Sequence, residues 1–398
     1  MMAKEGWSSS SEMSPSNDEN LLQPGDEIRP KVGLEQVPGL VKHLYGLTVT
    51  SVTQLSSYDD KNFLIQVSKS VNNPHLKTTC PHGYVLKILN TMTSQGQKLV
   101  AAQNDMMIFL RKRGFNSPQP EKNVDGSSMI LMELEPKDIN ITQNNVKLKP
   151  KKEHIVRMLT FIPGKTLYQV PYTPNLFFEC GSYIAHLDNQ LKEFQNEEVR
   201  SVAHMWMMKN TLYVRKFTYV LDNNEHRQLI HEVLDAWEKE VAPIIHQLEK
   251  GMIHGDLNDQ NILVQPDDKD PSVNHIHGVL DLADIQYSCY LFELAITIMY
   301  PMVEVRVMPP LDVGGHILAG YLIHREISQQ ELDILKECVA ARFAQSLVYG
   351  AYSHQQDPDN DYLLVTAARG WNVLQNFWNT PKNEVIARWK EIIQSYKE

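Results

Sequence analysis

Beginning at Leu47, apolar and polar residues alternate in short runs, Leu47 to Leu55, Asn62 to Val67 and Tyr84 to Leu89, the period of half-buried strands. These runs predict three antiparallel strands, entered from a weakly helical segment between Gly33 and Tyr45. Thr91 to Arg113 changes to helical spacing, with Leu99, Met106, Met107, Phe109 and Leu110 on one stripe, and closes on Gly114, a good helix stop. Further strands are expected around Met129 to Leu134 and Ile155 to Phe161. After Pro163-Gly164 the pattern becomes long amphipathic helices, at Asn175 to Phe194 and Asn224 to Glu249, interrupted by strand-like runs at Ile262 to Val264 and His277 to Leu282. Past Cys289 it is almost all helix. The pattern thus predicts an α+β chain, with a small, mostly antiparallel sheet lobe bearing one helix over residues 31–164 and a larger helical lobe over 165–398. Residues 1–30, rich in Ser, Asn, Glu, Pro and Gly with few large apolar groups, are expected to be a disordered extension. No internal repeat interrupts this plan.

Composition narrows the classes of function. A chain of 398 residues that is 42% hydrophobic and 22% charged has the means to bury a core and is long enough for two lobes. Its net charge of −10 and pI near 5.8 argue against a nucleic-acid surface, which needs a concentrated basic face. Cys80, Cys180, Cys289 and Cys338 lie far apart with no metal-ligand spacing, so a reducing compartment is expected. No stretch approaches the roughly 20 apolar residues of a membrane span, and the N-terminus has no apolar signal core. Cytoplasm, with no membrane partner, follows by elimination.

The candidate chemistry sits in Met252 to Val264, which reads Met-Ile-His-Gly-Asp-Leu-Asn-Asp-Gln-Asn-Ile-Leu-Val. Asp256 and Asn261 have the spacing of a kinase catalytic loop, in which the Asp orients the acceptor hydroxyl and the Asn carbonyl oxygen ligates magnesium. The run after Asn261 predicts a strand, a turn from Gln265 to Asn274, and a second strand ending in Asp281, which lands beside Asn261. Two oxygen ligands from adjacent strand ends suit magnesium, a hard cation that keeps the rest of its shell for water and phosphate. An isolated His-Gly-Asp or a lone Asp at a strand end means little. The ordered set, inside a helical lobe that follows a sheet lobe, points to phosphoryl transfer.

Lys87 lies centrally on the third predicted strand, where a kinase places the lysine that pairs with nucleotide phosphates. Between the first two strands, Leu55 to Phe63 contains no glycine, so it is not the Gly-rich loop of protein kinases. Two readings of it stand. Either backbone N–H groups with the hydroxyls of Ser56 and Ser57 cradle phosphate, or this is an ordinary polar hairpin turn. Asp59 and Asp60 would repel phosphate unless they point away or hold magnesium.

These residues resemble the aminoglycoside phosphotransferase-like kinases, the group containing choline, homoserine and aminoglycoside kinases, with its His-Gly-Asp-Leu-x-x-x-Asn loop. The resemblance covers Leu34 to the C-terminus. It implies a protein-kinase-like bilobal fold, Asp256 as catalytic base, Asn261 and Asp281 as metal ligands for Mg2+, and Lys87 as phosphate lysine. Five segments, Ser57 to Phe63, Leu159 to Gly164, His254 to Asp259, Glu293 to Tyr300 and Gly314 to Gly320, are similar more narrowly to the hydroxylysine kinases. That similarity implies GTP as donor and 5-hydroxy-L-lysine as acceptor, in lysine catabolism. Residue types alone do not separate GTP from ATP.

The sequence also departs from the family. No Glu in the helix after Lys87 is placed to pair with it, and Gln103 stands nearest the expected position. The metal Asp continues as Asp281-Leu282-Ala283-Asp284 where the family often has Asp-Pro, and Glu293 fills a later acidic position expected to brace the catalytic loop. His254 is expected to support the loop by hydrogen bonding.

The nucleotide base is expected against Leu159 to Phe161. For an acceptor with two ammonium groups and a carboxylate, the candidates are Asp284, Tyr287, Trp206, Arg342, Asp361 and Trp371. Each has a plainer role open to it, as core residue, surface ion pair or helix cap. Two other functions remain open: a kinase of another hydroxylated amine such as homoserine, choline or an amino sugar, and a nucleotide-binding regulatory protein. Oligomeric state is not readable.

Overall fold

The computed structural model describes residues 28–134 and 152–397. Helix α1 (Val37–Tyr45) leads into strands β1 (Leu47–Leu55), β2 (Lys61–Val71) and β3 (Tyr84–Ile88), then helices α2 (Thr91–Gln95) and α3 (Gln97–Lys112), then strands β4 (Ile130–Glu133) and β5 (Glu153–Thr160). The strands form one antiparallel sheet in the order β1-β2-β3-β5-β4. Its pleat separates two faces. Phe63, Ile65, Tyr84, Leu86, Ile88, Val156 and Met158 are buried with Val37, Val41, Leu44 and Tyr45 of α1. Lys87 and Arg157, paired across β3 and β5, fall in the alternate register and so share the opposite face.

The chain leaves the sheet through residues 161–164. The helical part contains β6 (Lys165–Thr166), α4 (Pro174–Leu191), α5 (Glu197–Arg200), α6 (Asn224–Ala236), β7 (Lys250–Ile253), β8 (Ile262–Pro266), β9 (Asn274–Val279), β10 (Gln286–Cys289), α7 (Tyr290–Glu304), α8 (Pro310–Tyr321), α9 (Gln329–Gln356), α10 (Ala367–Asn379) and α11 (Lys382–Ser395). Two small sheets, β6-β8-β9 and β10-β7, frame the segment between β7 and β8 that carries Asp256. Helix α7 is buried on almost every side, which explains its near-continuous apolar run. Helices α4 and α8 cross at two glycines: a Cβ on Gly181 would stand 1.9 Å from the Ile317 carbonyl oxygen, and one on Gly320 1.8 Å from that of Phe178. Among the described residues no helix is long and apolar enough to cross a membrane.

Some expected boundaries move. The helix expected over Thr91 to Arg113 is two helices broken at Gly96, the first capped by the Asn90 side chain accepting from Thr93 N. The helix expected to run to Glu249 ends as α-helix at Ala236, widens into a π turn over 237–241 and tightens through 242–247, where Pro243 has no N–H to continue the ladder. Strands β6, β7 and β10, two to four residues long, are too short to impose a period on the sequence. The expected N-terminal extension lies outside the described residues up to residue 27. Ile28 to Pro30 belong to the folded body instead, with the Ile28 carbonyl accepting from Thr91 N at 3.1 Å.

Candidate active site

The loop between β7 and β8 is held from three sides. Gly255 has φ 84°, and a Cβ there would come within 2.2 Å of the Asp284 carbonyl oxygen, so the position where protein kinases usually carry Arg is restricted to glycine. Its N–H donates to Glu293 Oε2 at 2.8 Å, which is the bracing expected of Glu293. Burial pushes the Glu293 carboxyl up to about 7. His254 is buried, donating through Nε2 to the Leu280 carbonyl at 2.7 Å, while Nδ1 faces Asp256 N at 3.3 Å. A carbonyl only accepts, so the ring is the Nε2–H tautomer and Nδ1 accepts. Burial holds its pKa below the ordinary value, which fits a supporting role.

Asp256 is engaged on both carboxylate oxygens. Arg342 Nη2 donates to Oδ1 at 2.9 Å, and Asn258 and Asn261 donate through their side-chain nitrogens to Oδ2 at 2.9 and 3.1 Å. Burial raises the carboxyl to about 8, with Arg342 pulling it down and Asp284 pushing it further up. Asn261 also donates to the Asp256 carbonyl at 2.9 Å. With Nδ2 so committed, its amide oxygen is the atom left for a ligand. Leu280 N donates to the Asn261 carbonyl at 2.8 Å, which fixes the ends of β8 and β9 side by side and sets Asp281 next to Asn261.

Asp281 is the one non-glycine residue with positive φ among those described, at 52°. Such strain persists where surrounding contacts impose it. Burial, the largest influence on its carboxyl, pushes it up, yet Lys87 and Arg157 outweigh this and hold it below the ordinary range. An amide oxygen and an ionised carboxylate on adjacent strand ends fit a hard divalent cation.

Lys87 reaches Asp281 Oδ1 at 2.9 Å and is 6% exposed. The expected neighbour Gln103 does not hold it; its Nε2 donates to the Ala283 carbonyl at 2.9 Å, pinning the turn after Asp281. A second acid beside Lys87 is Asp60, whose Oδ1 accepts from Asn90 N and Nδ2 at 2.9 and 3.1 Å. Burial raises the Asp60 carboxyl, and the Lys87 charge is the largest force opposing that rise. Arg157, fully buried beside Lys87, donates to Asn104 Oδ1 at 3.0 Å and feels both Asp281 and Asp60. The sequence raised Asp60 only as a repeller of phosphate or a holder of magnesium, not as a neighbour of Lys87, and Arg157 not at all, although the cross-strand position of Arg157 follows once the register is known.

In the β1–β2 turn, Ser57 Oγ donates to the Asp60 carbonyl at 2.5 Å, so this hydroxyl closes the turn, whereas Ser56 is exposed. Of the groups expected to meet the base, Thr160 N is committed to the Gln119 carbonyl and Phe161 N to that of Gly83, while Leu159 pairs with Val85 inside the sheet. Cys80 Sγ lies 4.0 Å from the Phe161 carbonyl.

The acceptor candidates separate. Arg342 and Trp206 join Asp256: Arg342 Nη1 donates to the Trp206 carbonyl at 3.3 Å, and its guanidinium lies 5.2 Å from the Trp206 ring centroid and 5.5 Å from that of Tyr300. Asp284 belongs to the same cluster, raised to about 6 by burial and Asp281. Tyr287 lies under Arg200 at 4.5 Å, and Trp371 stacks on His226 of α6 at 3.9 Å, so neither is drawn to Asp256 by those contacts. Asp361 begins a short turn, Asp361–Leu364, and its side chain lies outside the described set. Tyr58, Tyr300 and Tyr362 surround this region without having been singled out in the sequence, since their contacts join distant segments, as Tyr58 meets Ser353 and Tyr362 meets Gln260.

Comparison with known proteins follows the same outline. Residues 64–327 match the phosphotransferase enzyme family. Hydroxylysine kinase of Bos taurus is 33% identical over 375 residues, spanning 93% of this chain and 95% of that one. That of Xenopus laevis is 34% identical over 376 residues, spanning 92% and 96%. Among solved structures, the amicoumacin kinase hAmiN in complex with AMP-PNP, Ca2+ and Ami superposes with a TM-score of 0.59 at 16% identity, over 88% of this chain and 95% of that one. A microcompartment-associated aminopropanol kinase gives 0.55 at 16% identity, over 87% and 98%. These likenesses identify a protein-kinase-like bilobal α+β fold.

Proposed function

Since the chain belongs to the phosphotransferase enzyme family, and within it to the hydroxylysine kinases, we propose that it transfers the terminal phosphoryl group of GTP to the side-chain hydroxyl of 5-hydroxy-L-lysine, giving 5-phosphohydroxy-L-lysine and GDP in lysine catabolism. It is a phosphotransferase with a small-molecule alcohol as acceptor. The observation that carries the reading is the meeting of Asp256, Asn261, Asp281 and Lys87 at one place, in a chain one-third identical to hydroxylysine kinases over nine-tenths of its length.

Asp256 orients the acceptor hydroxyl and takes up its proton, while Arg342, Asn258 and Asn261 fix the carboxylate. Asn261 and Asp281 are the residues for Mg2+, which when bound supplies positive charge to the donor phosphates. Lys87 adds a second positive charge there, positioned by Asp281 and Asp60. Positioning and electrostatics supply most of the rate in such transfers, because the phosphoryl group needs little covalent help from protein. Asp284, Trp206 and Arg342 face the acceptor, matching its ammonium and carboxylate groups. Four unpaired cysteines agree with a reducing, cytoplasmic setting.

A coupled GDP-release assay with 5-hydroxylysine, with and without magnesium, tests the reading. Turnover that depends on both is expected. Release confined to another hydroxylated amine replaces the acceptor, and preference for ATP replaces the donor. Asp256→Asn is expected to lower kcat by about 10²–10⁴-fold with nucleotide affinity unchanged by calorimetry.

A further inference from the structure

The β1–β2 turn is fastened to the far end of α9. Tyr58 donates its hydroxyl hydrogen to Ser353 Oγ at 2.6 Å, and its carbonyl accepts from Asn360 Nδ2 at 3.2 Å. Arg29 ties the same two regions, donating to the Ser57 carbonyl and to Asp357 Oδ2, each at 2.8 Å. The Tyr58 ring stands edge-on to Trp206, with centroids 5.9 Å apart and planes at 89°. Trp206 in turn contacts Tyr349 at 5.0 Å and Arg342 at 5.2 Å, and Arg342 holds Asp256.

On α9, Tyr349 and Ser353 follow Arg342 two and three turns further along the same face. One stripe of this helix therefore runs from Asp256 up to the turn, and Tyr58 closes its upper end. Arg342 Nε and the Tyr349 hydroxyl on this stripe are buried without a hydrogen-bond partner among the described residues. Buried donors of that kind are costly unless a ligand satisfies them. The rings of Tyr58 and Trp206, each only partly buried, suit an ammonium group, with Tyr349 packed behind Trp206.

We propose that Tyr58 is a specificity-determining residue of the acceptor site: delivered from the nucleotide-side turn and latched to Ser353, it roofs the space above Asp256 and selects compact acceptors that carry an ammonium group. The inference rests on the reading that Asp256 receives a hydroxylated amine.

The test uses the full chain with Tyr58→Ala, Tyr58→Phe and Ser353→Ala, varying 5-hydroxylysine at saturating GTP and the reverse. Tyr58→Ala raises the acceptor KM roughly tenfold, as loss of an aromatic contact to a cation does, and leaves the GTP KM within about twofold. Tyr58→Phe and Ser353→Ala each raise it by a smaller factor, and combining them adds little to Tyr58→Phe alone, since that variant already removes the bond to Ser353 along with the longer 3.4 Å contact to the Tyr349 carbonyl. An unchanged acceptor KM, or equal rises in both KM values, overturns the proposal.

A second measurement is independent of the acceptor's identity. In the substrate-free protein, amide exchange in 55–61 and 349–357 speeds up together in Tyr58→Phe and Ser353→Ala. Unaltered exchange in either segment overturns the latch. Failure of wild type to phosphorylate 5-hydroxylysine, with the exchange result intact, counts against the substrate reading and leaves the latch standing.

Discussion

Asp256 has protein donors on both carboxylate oxygens before any acceptor arrives, and its rotamer is set by groups from its own loop and from α9. Lys87 is held differently, by the carboxylate of Asp281 with Asp60 behind it, where a protein kinase would use a glutamate from the helix. Asp60→Ala is therefore expected to raise the nucleotide KM about tenfold, the equivalent of about 1.5 kcal/mol for one interaction with a charged group. The corresponding change at Gln103, which bonds the Ala283 carbonyl, moves the turn after Asp281 instead. Steady-state kinetics with varied nucleotide distinguishes the two. Asp256, Asn261 and Asp281 were legible in the sequence because their spacing is local and one hairpin, β8–β9, brings the last two together. Asp60, Arg157 and Tyr58 were not, because their roles depend on register and on contacts such as Tyr58 to Ser353 that join distant parts of the chain.

Among the elements, strong periods gave β1 to β3, β5 and the helices after Cys289. What periodicity missed has local causes. Gly96 splits one apolar stripe into α2 and α3, the helix beyond α6 widens at 237–241 and loses its ladder at Pro243, and strands as short as β6 leave no pattern to read. The crossing of α4 and α8 depends on backbone approach at Gly181 and Gly320. Gly320→Ala is expected to cost about 1–3 kcal/mol, because the group it would strike is the backbone carbonyl of Phe178 and not a side chain that yields. Chemical denaturation of the folded chain measures it, and a change below about 0.5 kcal/mol refutes the close contact.

At the scale of the molecule, several buried ionisable groups work against one another with pH. Asp256, Glu293 and Asp59, displaced by burial to about 8, 7 and 7, bind more protons folded than unfolded, so stability falls as pH rises through their values. His204, pushed down to about 4 by burial, and His254, lowered likewise, act oppositely, and their effect is complete once pH passes the ordinary 6.5. Above that point the acids act together with His275, whose pKa the Glu179 carboxylate raises and which therefore acts in the same direction. The Tm is expected to decline between about pH 6.5 and 8, and thermal unfolding across that window checks it; a rise there contradicts the burial of these carboxyls. A separate consequence follows from the cysteines. Three are buried and Cys80 alone is partly exposed, with its sulfur beside the Phe161 carbonyl. A thiol-reactive dye should thus label one position, next to the segment expected from the sequence to meet the nucleotide base, and slowing of that labelling by added GTP or ATP gives a footprint of donor choice with no acceptor present.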